Sequence, residues 1–90
     1  VADYHTEGEI TPDAKGNYVK DGLYNGRMSY RRTDGVWFIW WDSVFSTYRL
    51  TSIKGTITNP CWGNDNDLIA GDYSPNGTAI GFAQVRAGPG

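Results

Sequence analysis

Apolar and polar positions in this chain alternate over short runs, each broken by Gly, Pro, Asn or Asp. Period-two alternation predicts strands, because successive side chains on a strand point to opposite faces. Gly8–Thr11 is a short strand ended by Pro12, and Pro12-Asp13-Ala14-Lys15-Gly16 is a turn in which Pro presets φ and Gly closes. Asn17–Asp21, carrying Tyr18, is the next strand. Asn25-Gly26 is the strongest turn signal, since a two-residue hairpin turn needs positive φ at both positions. Met28–Arg32 follows, then Asp34-Gly35 repeats the signal and Val36-Trp37-Phe38-Ile39-Trp40-Trp41 returns. Together these predict a meander over Leu23–Trp41. Beyond it, Asp42–Ser46 turns and Thr47–Ile53 is a strand with Tyr48 and Leu50 opposed to Arg49 and Thr51. Asn59–Gly63 is short and extended, and Asn64–Asp67 is a polar loop. Leu68–Tyr73 is a strand, Ser74–Gly77 a turn, and Thr78–Arg86 the last strand, in which Ala79, Gly81, Ala83 and Val85 form a face of small residues. Gly8-Glu9-Ile10-Thr11-Pro12 echoes Gly71-Asp72-Tyr73-Ser74-Pro75, a likeness too short to establish a repeat. The fold class expected is all-β, a small antiparallel sandwich or barrel-like meander of about six to eight short strands. It forms one domain over residues 1–90, with a flexible arm at 1–7 and a tail at 87–90.

Val36–Trp41 departs from alternation, being apolar on both faces. Trp37, Ile39 and Trp41 share one face, and Val36, Phe38 and Trp40 the other. A chain of this length buries only roughly 60–65% of the surface that its unfolded form exposes. Both faces are therefore hard to cover within one molecule, and an uncovered apolar face marks an interface. The face of Val36, Phe38 and Trp40 is expected to meet another molecule. Trp62, Tyr30 and Arg32 complete the set of interface or ligand candidates.

Composition supports strands over helices: Trp 4, Tyr 6, Phe 3 and Gly 12, with no long stretch of helix formers. The net charge of −2 and the scattered basic residues give no nucleic-acid footprint. No apolar run reaches the roughly 18–20 residues that span a bilayer as a helix, so no membrane partner is expected. Val1–His5 lacks the basic and apolar regions of a signal peptide. Cys61 is the single cysteine, which excludes an intramolecular disulfide and reads as a small buried hydrophobe. His5 is the single histidine and lies in the arm, away from any nucleophile it could activate. Asp65-Asn66-Asp67 supplies alternating oxygen ligands, but an EF-hand loop counted from Asp65 would put Ala70 where Gly belongs and Asn76 where Glu belongs. No catalytic residue, metal or cofactor is assigned. The four tryptophans admit three readings: a core, an interface with another chain, or a platform on which sugar rings stack.

Gly8-Glu9-Ile10-Thr11-Pro12-Asp13-Ala14 with Gly16 and Tyr18, then Tyr24-Asn25-Gly26-Arg27 with Tyr30, Arg32, Asp34-Gly35 and Trp37-Phe38-Ile39-Trp40-Trp41-Asp42, then Gly71, Tyr73-Ser74-Pro75, Gly77, Ala79, Gly81, Ala83 and Val85 form one pattern over almost the whole chain. It resembles a small β module that recurs in tailed-phage and marine viral structural proteins. Tyr48 is a departure, because a Trp is expected near it in that module. The resemblance implies a non-enzymatic virion component made in the host cytoplasm: a capsid decoration or cement protein, a head fibre or a tail accessory. Its partners would be other virion proteins or further copies of itself. The alternative is a carbohydrate-binding module that attaches to a host-surface glycan through exposed aromatics.

Overall fold

A computed structural model of the chain describes residues 2–90. Eight antiparallel strands follow one another around a closed barrel: β1 (Tyr4–Glu7), β2 (Gly16–Tyr24), β3 (Arg27–Arg32), β4 (Phe38–Asp42), β5 (Thr47–Thr51), β6 (Cys61–Gly63), β7 (Gly71–Asn76) and β8 (Ala83–Ala87). Each strand pairs with its sequence neighbour, and β1 pairs with β8 to close the ring, from Tyr4 opposite Ala87 to Glu7 opposite Gln84. Closure leaves no strand edge open to another chain. An eight-stranded barrel is just wide enough for side chains to fill its interior. Here Tyr18, Ile39, Leu50, Trp62, Tyr73, Ala83 and Val85 fill it, each with no exposed surface.

The expected meander is present, with Asn25 and Gly26 both at positive φ (52° and 81°) in the β2–β3 turn. The second connection is longer than a two-residue hairpin. Only Gly35 takes positive φ there, and the Arg32 amide donates across the loop to the Trp37 carbonyl at 2.9 Å.

Residues 4–7 are the main departure from the sequence reading. The expected flexible arm supplies the closing strand, tied on one side to β2 and on the other to β8. Ala87, placed in the tail, is the last residue of β8, and the Gly88 amide donates to the Asp3 carbonyl at 2.8 Å. Gly8–Thr11, expected as a strand, contributes only an isolated bridge from Thr11 to Ile80. β7 runs on through Pro75, and β8 starts at Ala83 rather than Thr78. The echo noted in the sequence therefore does not join equivalent strands. A different pair is equivalent: Gly16-Asn17-Tyr18 and Gly71-Asp72-Tyr73 each open a strand on a Gly of positive φ. Each then sends the Tyr hydroxyl back to a carbonyl four residues earlier, Tyr18 to Ala14 at 2.6 Å and Tyr73 to Ile69 at 2.7 Å.

The β2–β3 register shifts between Lys20 and Leu23, a bulge in which Gly22 has φ 86°. The Ser29 hydroxyl fills this bulge and donates to the Gly22 carbonyl at 2.7 Å.

Candidate functional site

Alternation on β4 sends Ile39 and Trp41 into the barrel, and Trp37 joins the same core just before the strand. Trp37 packs edge-on to Trp62 at 5.7 Å, and Trp41 packs against Tyr48 at 5.1 Å. The Arg27 guanidinium lies 3.8 Å over the Trp41 ring and caps that end of the core. Trp40 points outward, yet it is only 3% exposed. Its cover is the chain itself. The β5–β6 connection, residues 52–60, folds back over the outside of the barrel as a strap.

Three contacts fix the strap. Trp40 Nε1 donates to Thr51 Oγ1 at 2.8 Å, and the Thr51 hydroxyl donates onward to the Ile53 carbonyl. Lys54 Nζ reaches across to the bulge, donating to Asp21 Oδ2 at 2.9 Å and to the Asp21 carbonyl at 3.0 Å. Gly55, at φ 86°, lies directly against the Tyr24 hydroxyl. Tyr24 in turn packs edge-on to Trp40, with centroids 5.7 Å apart.

The expected interface face is corrected accordingly. Trp40 is buried under the strap, Trp62 and Tyr30 belong to the core, and none of the three is available to a partner. Arg32 is half-buried in an anchoring role. It forms a two-pronged pair with Asp34 at 2.9 and 2.8 Å and donates to the Asp13 and Lys15 carbonyls, tying two loops together. Phe38 is half-buried, and Val36 alone of the set is exposed. All four tryptophans are buried, so the alternative of a Trp platform for sugar rings is not formed.

One open feature of the surface lies beside the strap. A groove of about 470 Å³ is lined by residues that include Tyr24, Asp42, Val44, Phe45 and Ile57. Val44 is 82% exposed and Phe45 62%, in the tight turn between β4 and β5. That turn is held from below. Asp42 Oδ1 accepts from the Val44 and Phe45 amides at 3.0 and 3.3 Å. Asp42 Oδ2 accepts from Arg49 Nε at 3.1 Å in a pair whose side chains are only 7% and 12% exposed. The Arg49 guanidinium also lies 5.4 Å from the Phe45 ring centroid. Two bare apolar side chains thus sit on a backbone fixed by a largely buried ion pair. This is a rigid presentation, in which little ordering entropy remains to be lost on binding.

Sequence reasoning passed over Val44 and Phe45, although the signal was there: an apolar pair inside an Asp-to-Ser turn, where polar residues belong. Ile57 and Gly55 reach the groove only because the strap folds back, which no local pattern announces.

His5 is on β1 and Cys61 on β6, strands that are not neighbours in the ring. Burial pushes the Cys61 thiol above its ordinary pKa, which disfavours the nucleophilic thiolate. Among the described residues no group of three His, Cys, Asp or Glu side chains could hold a metal ion. Comparison with protein-family models, with curated proteins and with solved structures finds no match.

Proposed function

We propose that this chain is a non-enzymatic virion structural or accessory domain that works by protein–protein packing. The observation that carries this reading is the pair Val44 and Phe45, apolar and solvent-exposed on a turn made rigid by Asp42 and Arg49. Exposed apolar residues grouped around a groove, rather than scattered singly, mark an interaction surface. The sequence likeness to viral β modules supplies the setting, a capsid or tail surface. Closure of the barrel supports the same mode of use: with no free edge, partners must dock on side chains rather than add a strand. The glycan-binding alternative finds no exposed tryptophan and would rest on other aromatics, among them exposed Phe45 and Phe82 and half-buried Tyr24.

Mass spectrometry of purified particles of the virus that carries the gene tests the reading. The wild-type chain should be present in many copies. The double variant Val44→Asp/Phe45→Asp should fold with stability within about 0.5 kcal/mol of wild type, as exposed substitutions do, yet be missing from particles. Particles that lack the wild-type chain, or that carry both forms equally, contradict it.

A further inference from the structure

The seam that closes the barrel carries the chain's single histidine. His5 Nδ1 lies 2.9 Å from the Gly88 carbonyl oxygen, and His5 Nε2 lies 2.8 Å from Glu7 Oε1. Both partners accept hydrogen bonds and neither can donate one. A neutral imidazole has a single N–H, so it can satisfy only one of them and must turn a lone pair toward the other; the imidazolium donates to both. We infer that His5 is a protonated latch, holding the start of β1 to the segment after β8 and making the barrel seam sensitive to pH.

The surroundings bear this out element by element. On β1, Glu7 supplies the opposite charge. On β8, Arg86 faces His5 across the ladder and opposes the cation. On β2 the facing residue is Asn17, which is uncharged and accepts the Gly90 amide at 2.8 Å. Gly90 itself lies against the imidazole ring, so residues 88–90 are gathered around His5 from two sides. The bond to the Gly88 carbonyl, followed by that to Glu7, raises the His5 pKa above 6.5 against the opposing effects of burial and of Arg86. The sign follows. A folded-state pKa above the unfolded value means that the contribution is fully present below about pH 6.5 and is lost as pH rises through the folded-state pKa.

Because there is one histidine, an NMR titration of the imidazole gives one unambiguous curve. The midpoint should lie above 6.5, with both ring nitrogens protonated at pH 6. The protection factor of the Gly88 amide, corrected for intrinsic exchange, should fall over the same pH range. Glu7→Gln should move the midpoint down. His5→Asn should leave far-UV circular dichroism unchanged and remove the pH dependence of Gly88 protection. A midpoint at or below 6.5, or a Gly88 protection factor that stays constant while His5 titrates, would overturn the latch.

Discussion

Tyr18 and Tyr73 show what single residues do in this barrel. Each ring is fully buried, and each hydroxyl finds one carbonyl four residues back. Deleting the hydroxyl in Tyr18→Phe leaves the Ala14 carbonyl unpartnered in the core and should cost about 1–3 kcal/mol, read as a lower urea midpoint at unchanged slope. Burial also raises the pKa of both phenols well above the ordinary value near 10. Their contribution to stability is therefore complete below about pH 10 and is lost as pH climbs toward the folded-state values. Alkaline titration should show phenolate absorbance in two stages, the second coinciding with unfolding. Ionisation of all six tyrosines in the ordinary range, with the fold intact, would contradict this. That Tyr18 is a core residue could be read from its strand. That its hydroxyl is spent on Ala14 could not, because the partner is set by how the 8–15 loop enters the barrel.

At the scale of elements, the strap over residues 52–60 decides the site. From the sequence, β4 was a strand with two apolar faces and too little chain to cover them. The two apolar faces are present and fall where alternation puts them, but the chain does suffice to cover Trp40. The remedy is intramolecular: Thr51, Lys54 and Gly55 bring a loop over Trp40 and the bulge. Gly55→Ala would place a Cβ into the Tyr24 hydroxyl at a positive φ. This should destabilise the fold by more than about 1 kcal/mol and raise amide exchange across 52–58. An unchanged denaturation midpoint would mean that the strap does not seat on Tyr24. Other elements divide by the range of their contacts. Asn25-Gly26 and the Asp42–Ser46 turn were legible because local φ preferences and a capping Asp specify them. β1 was not, because Tyr4-His5-Thr6-Glu7 is polar and is held by pairing with residues some eighty positions away.

Across the whole molecule, a ring of eight strands with an external strap is economical in surface. The accessible area is 4640 Å², below the roughly 5,200 Å² usual for a folded monomer of this length. The apolar surface that stays open is therefore informative about use. Part of it is the Val44–Phe45 turn, which lines a groove together with Ile57, whereas Trp40 of the face that the sequence favoured is buried. The proposed virion role rests on turn residues and aromatics that build the barrel, and so concerns the scaffold. The groove speaks to the contact. Amide hydrogen exchange of the chain alone and with particles of the proposed virion tests the account most directly. Assembly should slow exchange at residues 43–46 and 55–57 and leave 33–38 unchanged. Protection confined to 33–38, or none anywhere, would contradict it.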